Sequence, residues 1–237
     1  MKRILVNYAT EDYKKTQHIN SESALETGNF DDVFEYDPSL IDETFLQEYH
    51  NILSSKRGAG YWLWKPYIIL DALEEVECGD VVVYADSASV FINSFDPIFD
   101  KCVNESRGIV GFQLEDFHKN SRWTKGDCFY NLNVNKYADL PQVMASFIAI
   151  CKNDFSLDFI NQWLSACCVE SSITDSENVY QENFSDFEDH RHDQSIFSLL
   201  CRKYDAYIYS DITQWGFKSG VILENEQLIY HHRSKLL

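Results

Sequence analysis

The sequence predicts an α/β fold, a mainly parallel central sheet flanked by helices, arranged as a single domain over residues 1–237. Three observations carry this. Short β-prone runs alternate with helical patterns from the first residues onward, the arrangement of βαβ units. Residues 81–85, "VVVYA", are apolar or aromatic throughout, as in a strand covered on both faces at the centre of a parallel sheet. And 237 residues that are 45% hydrophobic and 15% aromatic suffice to bury one sizeable core.

Each element follows in order. "RILVNYAT" opens the chain as a β-prone run ending at Thr10, and "EDYKKTQHINSESALETG" reads as a helix closed by Gly28. "DDVFEYD" is the second strand and "DETFLQEYHNIL" the second helix. Pro66 suits the first turn of the next helix, where its missing N–H costs nothing. In "PYIILDALEEVE", Ile69, Ala72, Leu73 and Val76 form one apolar stripe at helical spacing. Gly79-Asp80 turns the chain into "VVVYA", which runs into "DSAS". "GIVGFQ" is a further strand, and the second half of "DLPQVMASFIAICKN" fits helix or strand. "SLDFINQWLSACC" reads as a helix with Phe159, Trp163 and Ala166 on one face. The stretch 175–189 is polar, carries six acids and lacks periodicity, as a long surface loop does. "DHRHDQSIFSLLCRKYD" holds a helix marked by Ile196, Leu199, Leu200 and Lys203, and "LIYHHRSK" closes the chain as a strand.

Composition narrows the function. With 38 acids against 20 bases the net charge is -18, a field that repels polyanions, so nucleic acid is not an expected partner. The seven cysteines show no CxxC spacing and include adjacent Cys167 and Cys168, so buried thiols in a reducing cytoplasm are expected. The apolar run after the basic start is too short for a signal peptide, and no stretch approaches a membrane span. There is no GxGxxG, GxxxxGK[ST] or GxSxG.

In open α/β sheets, ligands bind at the carboxyl ends of strands. Asp86 stands at that end of the best-defined strand, although a lone Asp there is commonly a turn or helix cap. "RGAGYWLWKP" places Arg57, Tyr61, two tryptophans and Lys65 at the mouth of the preceding helix. A crossover helix is expected to begin at the opposite sheet edge from Asp86, so Lys65 reaches Asp86 only if it lies in a lead-in loop that folds back. Other cations (Arg122, Lys125, Arg191, His192, His231, His232 and Arg233) form islands amid acids. The terminal "HHR" could grip a diphosphate and its cation, since Arg chelates phosphate oxygens and His ligates metal ions. "HRHDQ" offers His190, His192 and Asp193 as ligands of a hydrolytic metal site, but not at the spacing of one helix face. Capping of the helix by Asp189 or Asp193 explains the same residues.

Taken together, "RGAGYWLWKPYIIL", "GDVVVYADSAS", "ENFSDFEDHRHDQSIFSLL" and "HHR" resemble a family of small, single-domain glycosyltransferases of GT-A type, found among enzymes that build bacterial or viral surface glycans. The resemblance spans nearly the whole chain. It implies a Rossmann-like sheet, a nucleotide-sugar donor, a glycan or lipid-linked acceptor and a divalent cation, Mn²⁺ or Mg²⁺. A lipid-linked acceptor would place the enzyme peripherally at the inner membrane face, though no basic amphipathic helix supports anchoring. By the resemblance, Tyr8, Ala9 and Thr10 contact the nucleotide, while Lys65 lines the donor cleft with Arg57 and Tyr61. Asp86, followed by Ser87, opens the aspartate motif that meets metal and sugar. Asp193, the catalytic base of an inverting transfer, faces the sugar or acceptor with His192 and Gln194. His231 and Arg233 reach the diphosphate, and His232 joins Asp86 at the metal. The chain departs from Asp-x-Asp, having "DSAS" instead, which leaves metal-independent transfer open. A non-catalytic nucleotide-sugar-binding module and a hydrolase using "HRHD" are the alternatives.

Overall fold

The computed structural model describes residues 1–218 and 227–235. Its centre is a six-stranded sheet of order β2-β1-β3-β6-β5-β7. The strands are β1 (Arg3–Tyr8), β2 (Asp32–Tyr36), β3 (Val81–Ala85), β5 (Ile109–Gln113), β6 (Val143–Cys151) and β7 (Tyr207–Ser210). β1 pairs parallel with β2 and β3, and β5 parallel with β7, while β6 runs antiparallel between β3 and β5. The ambiguous "VMASFIAIC" is therefore a strand, buried along nearly its whole length. The sheet is mainly parallel, as the alternating elements predict.

The principal helices are α1 (Lys14–Glu26), α2 (Glu43–Glu48), α3 (Trp64–Glu74), α4 (Asp96–Asn104), α5 (Gly126–Leu132), α6 (Asp154–Cys167) and α7 (His192–Lys203). Two apolar layers cover the sheet. Val82 and Tyr84 of β3 pack with Ile69, Trp163 and Phe197 from α3, α6 and α7 on one face. Val81, Val83 and Ala85 pack with Ala24 of α1 and Phe99 of α4 on the other. Alternate side chains of a strand point to opposite faces, so a strand covered on both must be apolar throughout, and "VVVYA" is. All seven cysteines are free thiols, most of them buried.

α1 has a buried face that is polar. Gln17 Nε2 donates to Asn7 Oδ1 (3.0 Å) and Tyr36 O (2.8 Å), Asn7 Nδ2 to Asn20 Oδ1 (2.8 Å), and Asn20 Nδ2 to Ser89 O (3.1 Å). Every member finds a partner, the condition for burying such groups. The network ties the end of β1 to the segment after Asp86.

A second, two-stranded sheet positions the C-terminus. β4 (Ser89–Phe91) pairs antiparallel with β8 (Ile229–His231), with Ser89 opposite His231. The terminal "HHR" is thereby delivered beside "DSAS". The loop 174–191 is held at several points, since Asp127 accepts from the N–H groups of Val179, Tyr180 and Gln181 at 2.8 to 3.0 Å. Among the described residues no helix is long and apolar enough to cross a membrane.

Candidate active site

Lys65 is the hinge of the site. It lies in the first turn of α3, 3% exposed. Its Nζ stands 3.0 Å from Asp193 Oδ2, 3.5 Å from Asp86 Oδ1 and 3.1 Å from Ala145 O. No lead-in loop folds back to achieve this, contrary to the sequence expectation. A crossover helix runs antiparallel to its strands, so the start of α3 is already at the carboxyl edge where β3 delivers Asp86. Burial alone would lower the ammonium's affinity for its proton, but the two carboxylates outweigh it and keep Lys65 charged.

The carboxylates diverge. Burial would raise Asp86, but Lys65, His231 and the Tyr84 hydroxyl, which donates at 2.8 Å, hold it below the usual carboxylate range. Asp193 is pushed up to about 6 by burial, against the pull of Lys65 and with a contribution from Asp86. Two carboxyls sharing one ammonium thus take different protonation behaviour, the pattern of paired acid–base sites.

The segment before α3 has an unusual backbone. Gly58, Ala59, Gly60, Tyr61 and Trp62 all have positive φ, from 50° to 100°. A Cβ on Gly58 would lie 2.2 Å from the Trp62 ring, and one on Gly60 2.7 Å from Leu53 Cα. The glycines are therefore required by both conformation and space. The turn presents Trp62 to the cleft, and Trp64 stacks on Tyr8 with ring centroids 3.8 Å apart. His192, itself at φ 49°, packs against Tyr61 and Trp62. Strained backbone at a cleft is stored by the surrounding packing.

Two cavities meet here. One, of about 550 Å³, is lined by Tyr8, Thr10, Ser87 and Trp64, with Lys56 and Lys235 also on its wall. The other, of about 420 Å³, is lined by Lys65, Asp193, Gln194 and Arg191 among others. Trp62, Asp86, Ser146, His231 and Arg233 belong to both.

Most expected site residues are brought together. Tyr8, Thr10 and Ser87 line the first cavity; Arg57, Lys65, His192, Asp193 and Gln194 line the second; Asp86, His231 and Arg233 lie at the junction. Arg57 is committed to Asp175 (3.1 Å) and Asp189 (2.7 Å). Ala9 is buried and lines neither cavity, its N–H donating to Tyr36 O. Tyr61 stands one layer back, against His192. His232 lines neither cavity, and its Nδ1 accepts from the Ser234 N–H. Alternation along β8 sends His231 inward instead, against Phe147 and into the field of Asp86. Trp62, Trp64, Tyr84, Ser146 and His118 were not individually singled out by the sequence. The aromatic-rich "RGAGYWLWKP" signalled the two tryptophans, whereas nothing local signals Ser146 or His118.

The described side chains do not by themselves make a divalent-cation site. Among the described residues no group of three His, Cys, Asp or Glu side chains is placed to hold such an ion. The expected ligand Asp86 is engaged by Lys65 and Tyr84, His232 lies away from it, and an ammonium 3.5 Å from the only motif carboxylate opposes a second cation. Nor do His190 and His192 form a hydrolytic metal site. His190 Nε2 bonds Ser172 O (2.9 Å) and its Nδ1 accepts from the Lys125 N–H (3.3 Å), while His192 Nδ1 bonds Ile173 O (2.7 Å).

The sheet order, the antiparallel β6 and the cleft at the carboxyl edge of β1 and β3 define a fold of the GT-A glycosyltransferase type. Solved structures with this fold match nearly the whole chain. Mouse xyloside xylosyltransferase 1 aligns over 100% of this chain and 99% of its own, with TM-score 0.55 and 10% identity. The galactosyltransferase LgtC, solved with donor and acceptor sugar analogs, aligns over 98% and 87%, with TM-score 0.53 and 13% identity. The bifunctional glycosyltransferase WbbM aligns over 98% of this chain and 46% of its own, with TM-score 0.57 and 12% identity. No family model and no curated protein sequence matches the chain.

Proposed function

We propose that residues 1–237 form one glycosyltransferase domain that moves a sugar from a nucleoside diphosphate sugar to a hydroxyl acceptor. The single observation that carries this is the pair of cavities sharing Asp86, His231 and Arg233, with Asp193 opening to only one of them. The fold shared with solved glycosyltransferases supports it.

In this reading the nucleoside enters the cavity of Tyr8, Thr10 and Trp64, and the diphosphate lies at the junction. Arg233 and Lys65 offset its charge, preorganised for the negative charge that develops as the bond to the sugar breaks. His231, whose imidazole burial lowers to about 4, is neutral there and serves as a hydrogen-bonding group. The sugar and acceptor occupy the cavity of Asp193 and Gln194. The anomeric carbon–oxygen bond to the diphosphate breaks, and a new one forms to the acceptor oxygen. The acceptor's proton passes to the Asp193 carboxylate, and the nucleoside diphosphate leaves as an anion. No step is assigned to a metal ion, since the described side chains do not by themselves hold one.

The test is a thermal-shift screen of the purified protein against UDP-, GDP-, dTDP- and CDP-sugars, with and without Mn²⁺. Stabilisation by one nucleotide class, lost in Asp86→Asn and Lys65→Ala variants that still melt cooperatively, is the expected result. Silence across the panel would overturn the reading.

A further inference from the structure

The cavity of Asp193 contains an arginine that this mechanism does not use. Arg191 sits immediately ahead of α7, half-buried, with its guanidinium 3.9 Å from the Trp123 ring centroid. Nη1 donates to Gln142 Oε1 and Nη2 approaches His118 Nδ1, each at 3.3 Å. Both partners are neutral, since burial and then Arg191, Arg122 and Arg233 lower His118 to about 4.

Of the other cations around this cavity, Arg233 is assigned to the diphosphate above, and three are compensated. Lys65 has Asp86 and Asp193, Arg57 has Asp175 and Asp189, and Arg122 has Glu188. Among the described residues no carboxylate lies at ion-pair distance from Arg191, and the acids next to it in sequence, Asp189 and Glu188, belong to Arg57 and Arg122. Asp211, on the same cavity wall, accepts from the Thr213 N–H at 2.8 Å and is pushed toward its neutral form by burial. In a chain with 38 acids and 20 bases, a stacked guanidinium whose hydrogen-bond partners are both neutral, with Asp189 and Glu188 acting on it only from beyond ion-pair distance, is conspicuous. A planar fork held rigid by an aromatic face is suited to bidentate pairing with an oxyanion.

We propose that a sugar bound in this cavity carries an anionic group, a carboxylate or a phosphate monoester, that pairs with Arg191. The proposal rests on the transferase reading above. The anion could sit on the acceptor or on the transferred sugar, and the two sources are separable by experiment.

Calorimetry first measures binding of UDP, GDP, dTDP and CDP to the wild type and to Arg191→Ala. Equal affinity for one diphosphate in both proteins places Arg191 outside diphosphate binding, as expected. Next, with that diphosphate present, methyl glucuronide and glucose 6-phosphate are compared with methyl glucoside. Separately, the nucleotide-linked glucuronate is compared with the nucleotide-linked glucose. One anionic probe is expected to bind about tenfold or more tightly than its neutral counterpart, the size of a charged hydrogen-bonded pair. Arg191→Ala should erase the difference in a protein that still melts cooperatively, and Arg191→Lys should keep part of it. Discrimination among free sugars assigns the anion to the acceptor, and discrimination among nucleotide sugars assigns it to the donor. Equal response to charged and neutral probes, or a preference that survives Arg191→Ala, overturns the proposal alone. A diphosphate that binds wild type but not Arg191→Ala also overturns it, making Arg191 a diphosphate ligand. If no diphosphate binds the wild type, the transferase reading falls and this proposal with it.

Discussion

Lys65 Nζ and Asp193 Oδ2 lie 3.0 Å apart, joining the start of α3 to the start of α7 across the carboxyl edge of the sheet. Both side chains are almost wholly buried, and Asp86 is the ammonium's second carboxylate. Removing the ammonium would strand two carboxylates with no cation between them.

Lys65→Met is therefore expected to lower stability by about 3–5 kcal/mol, the usual cost of breaking a buried pair from one side. Adding Asp193→Asn should recover part of the loss, because it removes one of the two stranded carboxylates. Urea denaturation of the single and double variants measures both. Additive losses would show that the two groups do not interact.

Asp193 gives a pH dependence. Its carboxyl, pushed up to about 6 mainly by burial, is protonated below that pH and cannot accept the acceptor's proton. Transfer should therefore fall as pH drops through about 6 and level off above it. The stability linkage runs the other way: a raised carboxyl favours folding most below its unfolded value near 3.8, and that contribution is lost as pH rises through about 6. Asp193→Asn should cut turnover by roughly 10²–10⁴-fold while nucleoside diphosphate still binds. A pH–rate profile on wild type, and calorimetry on the variant, check the two halves.

Gly60→Ala tests the left-handed turn. The new methyl would meet Leu53 Cα at 2.7 Å on a backbone with φ 100°. A loss of about 1–3 kcal/mol is expected, together with weaker nucleotide binding, because the turn presents Trp62. Gly79→Ala, at φ 90° but with nothing within 4 Å of the added carbon, should cost less and leave binding unchanged. Melting temperatures of the pair decide it.

Donor binding should survive chelation. Lys65 engages Asp86, and the expected partner His232 is turned out of the cleft. Stabilisation by the responding nucleotide is thus expected to persist in excess EDTA. Its complete loss, restored by Mn²⁺, would show that donor phosphates and water complete a cation site at Asp86.

The elements legible in the sequence were those whose pattern has one physical solution. Val81–Ala85 is apolar on both faces and can only be a covered strand, and Ile196, Leu199 and Leu200 keep one helical stripe buried. "VMASFIAIC" was not legible, because a buried helix and a buried strand show the same apolar run; only pairing with β3 and β5 selects the strand. The buried face of α1 was hidden as well, since Gln17, Asn20 and Ser21 are polar and are buried only because Asn7 on β1 and other partners outside the helix satisfy them.

By itself the sequence determined the layered α/β fold and the segments that would build a cleft, because alternation, apolar periodicity and the glycine–aromatic turn are local properties of the chain. The tertiary structure decided which atoms meet. It set Lys65 between Asp86 and Asp193, chose His231 over its neighbour through the alternation of β8, tied Arg57 to loop acids and left Arg191 with neutral partners. Those are contacts between residues far apart in the chain. Their energies depend on separation and on the exclusion of water, quantities that exist only once the helices have packed on the sheet.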